Sequence, residues 1–244
     1  MTDFLIVLWG FAAGLLSGVV GTGSSIALMP VLVVCYGPRQ AVPIMAIGAV
    51  MGNLGKIFAW WDRLDLRACG AYSSTAVPGA ALGVHTLLTL PARVVDVSLG
   101  VFFLAMIPAR RWLATRDVKF SRAHLALIGG PVGFLTGLVV STGPITVPVF
   151  TAYGLAHGAF LGTEAAGSLA VYGTKIVAFQ QFGALPASVV MQGLMVGAAL
   201  MMGSICARPV VARMTVSTFR TLVDGLMLAS GGSLLWVACF SRSP

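Results

Sequence analysis

Apolar stretches of about 20 residues recur along nearly the whole chain, each long enough to cross a hydrocarbon layer roughly 30 Å thick. Hydrophobic residues make up 58% of the 244 and charged residues 9%, with a mean hydropathy of +0.96. No soluble domain has enough interior to hide that much apolar surface. The expected fold class is therefore an all-α polytopic membrane protein.

A net charge of +8 raises the question of nucleic acid. The basic residues, however, gather in short loops between apolar segments, the pattern that sets membrane orientation. No nucleic-acid partner is expected. The four cysteines, Cys35, Cys69, Cys206 and Cys239, are scattered without metal-ligand spacing and read as structural thiols. His85, His124 and His157 share no metal spacing either. At the N-terminus, Asp3 stands where a secretory signal would carry Lys or Arg, and the apolar run continues past any cleavage point, so the segment is expected to be retained.

Apolar runs bounded by charge, Pro or Gly predict spans at 42–61, 68–90, 94–112, 159–182, 185–206 and 216–240. Two further runs, 4–36 and 125–153, would be roughly 45 to 50 Å long as straight helices, so they must break. The breakers are Gly21-Thr22-Gly23-Ser24-Ser25 and Ser141-Thr142-Gly143-Pro144. The two runs also match each other. GLLSG (14–18) parallels GFLTG (133–137), and a proline follows each breaker, Pro30 or Pro148. In the same order, KIFA at Lys56 parallels KIVA at Lys175, GAAL at Gly79 parallels GAAL at Gly197, and VVD at Asp96 parallels LVD at Asp224. About half the chain separates the copies. A duplication with a broken helix at the same place in each half is the sequence pointer to a transporter site. The expected division is a first transmembrane repeat at 1–113, a basic cytoplasmic linker at 114–122 and a second repeat at 123–244, about eight spans in all.

Arg110, Arg111, Arg116, Lys119 and Arg122 carry the densest positive charge, which places their loop in the cytoplasm, together with Arg63 and Arg67. The second half has two solutions. If its broken run is a hairpin returning to its own side, Arg208, Arg213 and Arg220 fall inside and the halves are inverted; if it crosses once, they fall outside and the halves are parallel. The piece after each breaker is about ten residues, too short to span, which favours re-entrant hairpins and inversion.

Irregular backbone survives at membrane depth only when buried in protein or lining a wet cavity. A helix beginning there exposes unpaired N–H groups and its positive dipole end, which suits an anion. Pro144 fits a first helical position with Thr142 or Gly143 as its cap, Ser24 and Ser25 add hydroxyls, and Gly21 and Gly23 allow close backbone approach. The candidate substrate-binding residues are Gly21, Thr22, Gly23, Ser24, Ser25, Asn53 and Lys56, with Ser141, Thr142, Gly143, Pro144 and Lys175. GLLSG and GFLTG themselves read as close-packing surfaces. Lys56 and Lys175 sit near helix C-termini, where a lysine snorkels to the interface and complements the dipole; reaching inward instead, both would supply charge for an anion. Thr163 is another polar residue near a span. Glu164, near a helix start, is either a dipole partner or a proton-coupling carboxylate. Gln180 and Gln181 read as interfacial.

The arrangement GLLSGVVGTGSSIALMPVL, repeated as GFLTGLVVSTGPITVPVF, resembles the sulfite exporter TauE/SafE family of bacterial membrane proteins. Each half of that family carries a glycine-rich motif followed by proline. The resemblance implies a transporter of sulfite, sulfonates or other small organic anions in the bacterial inner membrane. It places the matching motif positions at Gly21, Gly23, Pro30, Gly143, Pro144 and Pro148. Ser24 and Ser25 stand where the family has glycines, and Ser141-Thr142 replaces part of the second glycine run, which alters the hydroxyls offered to a solute.

The expectation is a secondary transporter of a small anion, driven by a proton or sodium gradient, since no nucleotide motif occurs. Its expected partners are the anion, the lipid bilayer and the coupling ion, and assembly with further copies of the chain is compatible with this. No cofactor or metal is expected. An anion channel and a non-transporting assembly subunit are the alternatives. A membrane-embedded enzyme would carry HExxH, GxSxG or clustered Asp and His, and none is present.

Overall fold

In the computed structural model, the described residues are 2–21, 23–36, 38–89, 119–138, 143–155, 157–183 and 185–211, with 108 and 228. Among them the regular structure is helical. The helices are α1 (Thr2–Val20), α2 (Ser24–Tyr36), α3 (Pro38–Ala59), α4 (Leu66–Thr89), α5 (Arg122–Leu138), α6 (Gly143–Ala152), α7 (His157–Gln181), α8 (Ala187–Cys206) and the short α9 (Arg208–Val211), with a 3-10 turn at Trp61–Arg63. The expected spans at 94–112 and 216–240, and most of the basic linker, lie outside the described residues.

Both long apolar runs break where their polar and glycine content says they must. The first stops at Val20 and restarts at Ser24, with Gly21 (φ +82°) and Gly23 (φ +109°) in left-handed backbone that a side chain rarely adopts. In the second, α5 ends at Leu138 and α6 begins at Gly143, so Gly143 is the first helical residue and Pro144 the second. Segments 40–59 and 187–206 are each long and apolar enough to cross a bilayer. Large apolar side chains stand on outer faces, among them Trp9, Val34, Leu127 and Met191. Water would not tolerate so many, whereas lipid is indifferent to them.

Glycines set how closely the helices pack. A side chain at Gly133 would meet Ala76 of α4, and one at Gly137 would meet Ala80 and Gly83, so α5 runs alongside α4 in the same direction. On the other flank, Gly14 meets Leu200, and Gly18 meets Ser204 and Ala207, so α1 runs alongside α8 in the same direction. Small residues of the two matching pentapeptides thus serve the close approach expected of them. Between the flanks, α3 and α7 run antiparallel: Gly158 lies on the Trp60 ring at one end, and Ala46 and Phe179 share a cluster with Val84 at the other.

The chain before α5 returns to the end of α6. The Phe120 N–H donates to the Ala152 carbonyl at 2.9 Å, tying the approach to α5 to the end of α6. At the end of the bundle where α3 stops, Asp65 Oδ1 accepts the N–H groups of Arg67 and Ala68, both at 3.0 Å, and so caps α4. Thr163 Oγ1 in turn accepts the Asp65 N–H at 2.9 Å, which gives Thr163 a structural role. At this same end, Arg63 and Arg208 both stack on Trp60, 5.8 and 5.2 Å from its ring centre.

Candidate functional site

The first breaker sits against the buried end of α3. Asn53 and Lys56, 5% and 4% exposed, stand about one helical turn apart on the face of α3 turned inward. Lys56 Nζ donates to the Gly21 carbonyl at 2.7 Å, so a lysine ammonium satisfies a carbonyl that the end of α1 leaves free. The same ammonium lies 3.6 Å from Glu164 Oε2 of α7, a buried ion pair. Glu164 Oε1 accepts from the Ser168 hydroxyl at 2.7 Å and lies 3.3 Å from the Thr146 hydroxyl, which also has the Gly143 carbonyl at 3.0 Å, whereas Oε2 accepts no hydrogen bond from any described residue.

These groups border a cavity of about 30 Å³. That is room for about two water-sized spheres. The first half contributes Gly21, Gly23, Ser24, Ser25, Asn53 and Lys56 to its wall, and the second contributes Gly143 and Glu164. Eight residues expected from the sequence therefore meet in one place, from four segments, two before residue 60 and two after residue 140. Thr22, Ser141 and Thr142 lie outside the described residues.

Two expectations are corrected. Snorkelling does not describe either lysine: Lys56 is 4% and Lys175 1% exposed, and Lys175 Nζ donates inward to the Thr136 carbonyl at 2.9 Å. Lys175 is outside the cavity wall, with its Nζ 5.7 Å from the centre of the Tyr172 ring. Nor is Glu164 a dipole partner. Helix α7 begins at His157, which puts Glu164 beyond the first turn, where the dipole effect fades.

Six wall residues were missed: Ala49 and Gly52 of α3, and the hydroxyl-bearing Ser17, Thr136, Ser168 and Tyr172. Ser17 and Thr136 are the fourth residues of GLLSG and GFLTG, so the repeat itself marked them. Their glycines pack while their hydroxyl-bearing residues face the cavity. Ser168 and Tyr172 follow Glu164 at four-residue steps, a polar stripe on one face of α7 that helical spacing would have found.

The family model described as Sulfite exporter TauE/SafE matches residues 6–234. The chain belongs to this family. The match runs through both breakers, α3 and α7, and therefore through every described residue of the cavity wall. TauE/SafE is a family of membrane transporters, which agrees with the apolar helices and lipid-compatible outer faces. Among curated proteins and among solved structures, nothing matches the chain.

Read as part of a transporter, the site offers an anion one buried ammonium held from behind by a carbonyl, hydroxyls of Ser24 and Ser25, and the start of α2. Ser25 is 4% exposed and sits in the first turn of α2, beside N–H groups that helix geometry leaves without intrahelical partners. Such a set recognises charge and oxygen atoms rather than an apolar skeleton.

Proposed function

We propose that the chain is a secondary transporter of a small anion, such as sulfite, a sulfonate or another organic anion, in the bacterial inner membrane. The observation that carries this reading is the meeting of Lys56, the first breaker and the start of α6 around one buried cavity between the two halves. Burying a lysine inside a membrane protein costs several kcal/mol unless the charge is used or compensated.

The halves are read as inverted repeats, 1–113 and 123–244, joined by a cytoplasmic linker at 114–122. Three observations support this. Helix α7, the counterpart of α3 by the KIFA and KIVA match, runs antiparallel to it. Helix α1 runs alongside α8 and α5 alongside α4, the pairing expected of an exchange of two repeats in either orientation, which supports the repeat itself. Arg63 and Arg208 share one tryptophan, whereas parallel repeats would put them on opposite faces of the membrane.

The test is flux of labelled sulfite, thiosulfate, sulfoacetate and taurine in proteoliposomes of the purified protein, with S24A, S25A and T142A beside the wild type. Saturable flux of an anion is expected, with each variant weakening it about tenfold, the scale of one hydrogen bond to a charged group. Ohmic current in place of saturable flux would mean a channel. Undiminished transport in all three variants would remove the breakers from the substrate path.

A further inference from the structure

The cavity wall holds a carboxylate where an anion is to bind, and that conflict is informative. Lys56 and Glu164, both about 5% exposed at the side chain, make the site neutral when both are charged. An anion arriving at Lys56 would then lie a few ångströms from the Glu164 carboxylate, and repulsion in a low-dielectric interior is severe. With Glu164 neutral, Lys56 offers an uncompensated positive charge to the same anion.

The hydrogen bonds are arranged for that change. The Ser168 hydroxyl, and the Thr146 hydroxyl at longer range, are both on the Oε1 side, while the buried Oε2 takes no hydrogen bond from any described residue and lies 3.6 Å from Lys56 Nζ. A proton on Oε2 therefore displaces no existing hydrogen bond. Nor does Lys56 depend on Glu164 for its position, because its tighter partner is the Gly21 carbonyl, at 2.7 Å against 3.6 Å. When the carboxylate is neutralised, the ammonium stays where the anion needs it.

We infer that Glu164 is the proton site of this cavity, and that a proton on Oε2 and an anion on Lys56 bind together and cross together. The inference rests on the anion-transport reading above. The proton is taken from water on the side the anion enters and returned to water on the other. One O–H bond forms and later breaks, and for a monovalent anion the step is electroneutral.

Among the described residues, the other charged and titratable groups near Glu164 have other positions or partners. Tyr72 of α4 packs on Gly167, and Tyr172 of α7 is a phenol on the cavity wall. Lys175 of α7 donates to the Thr136 carbonyl. Asp65 is the cap of α4, and Asp62 pairs with Arg63 at 3.7 Å on the exposed turn. Helix α6 carries no charged residue, and Arg122 and His124 are exposed at the start of α5.

The experiment loads wild-type, E164Q and E164D proteoliposomes with a pH-sensitive dye, holds the membrane potential at zero with a potassium ionophore because one proton with a dianion carries net charge, and measures labelled thiosulfate and sulfoacetate, dianions that do not titrate near neutrality. In the wild type, a pH gradient acid on the outside should drive anion accumulation together with internal acidification. Half-saturation for the anion should weaken by up to about tenfold per pH unit once Glu164 loses its proton. E164Q should lose gradient-driven accumulation and show anion exchange with a flat pH profile. E164D should restore a pH profile, which a merely structural role for Glu164 would not predict. Anion flux in the wild type that ignores the pH gradient overturns co-binding and leaves the transport reading intact. So does a pH profile retained by a folded E164Q that still exchanges anion. If no anion moves through the wild type, the transport reading fails and co-binding fails with it.

Discussion

Lys56 and Lys175 stand at matching positions of the repeat and make matching bonds: each donates to a main-chain carbonyl near the end of the broken helix in its own half. Lys56 bonds Gly21 at 2.7 Å and Lys175 bonds Thr136 at 2.9 Å. Each ammonium supplies the donor that a helix C-terminus lacks, and its charge complements the negative end of the dipole. A helix that stops inside a membrane needs such a partner, because water is not there to provide one. The lysines therefore hold the breaks in place, and Lys56 in addition faces the cavity.

Removing Lys56 should separate these two tasks from the ion pair. In K56A, Glu164 is left as a buried charge without its cation, a loss of about 3–5 kcal/mol in stability. The double variant K56Q/E164Q removes both charges and should recover most of that loss, because a neutral pair carries no uncompensated charge. Anion transport should stay absent in both. Thermal unfolding in detergent, read beside proteoliposome flux, checks the two halves of this expectation, and recovery of transport in the double variant would contradict the role given to Lys56.

Much of the site was legible because two stretches of the chain match each other in sequence. The breakers announced themselves as polar and glycine-rich residues inside runs too long for one span, and the positions of Gly21, Gly23 and Gly143 followed directly. What sequence could not supply was direction. A lysine near a helix end reads equally as snorkelling outward or reaching inward, and burial of Lys56 and Lys175 follows from which helices surround them. Glu164 illustrates the same gap: its pairing with Lys56 joins residues 108 positions apart, brought together because α3 and α7 pack antiparallel. Ser17 and Thr136 were passed over because one pentapeptide can do two things, with glycines on the packing face and a hydroxyl on the cavity face.

Glycine substitutions should split according to what lies opposite. At Gly133 a methyl group would strike the backbone of Ala76, and at Gly14 the backbone of Leu200; neither neighbour can swing aside. G133A and G14A should each cost about 1–3 kcal/mol by forcing the helices apart. Gly173, in the interior of α7, has nothing within 4 Å of the added group, so G173A should be neutral or stabilising by up to about 1 kcal/mol. Unfolding midpoints of the three variants measure this, and equal losses at all three positions would show that helix packing is looser than the glycine contacts require.

The missed hydroxyls give a sharper test of the cavity than the breakers do. S17A and T136A each remove one wall oxygen, from α1 and α5 respectively, at residues 3% and 5% exposed. Thr136 Oγ1 also donates to the Val132 carbonyl at 2.7 Å, a bond within its own helix whose loss costs little because the carbonyl keeps its helical partner. Both variants should fold normally and weaken half-saturation for the anion by about two- to tenfold, the scale of one neutral hydrogen bond. An unchanged concentration dependence in both would place the solute elsewhere.

Trp60 allows the arrangement of the halves to be tested without transport. Arg63 and Arg208 stack on its ring at 5.8 and 5.2 Å, and both are exposed, so a cysteine at either position is open to a water-soluble reagent. With Cys35, Cys69, Cys206 and Cys239 replaced by serine, R63C and R208C should react from the same face of the membrane, the cytoplasmic one. A short bifunctional maleimide should link the two when both are present. Parallel repeats predict the opposite, with one cysteine labelled from each face and no cross-link. Labelling in intact cells and in inside-out vesicles therefore decides between re-entrant hairpins and single crossings, because the number of crossings between residues 63 and 208 is even in the first case and odd in the second.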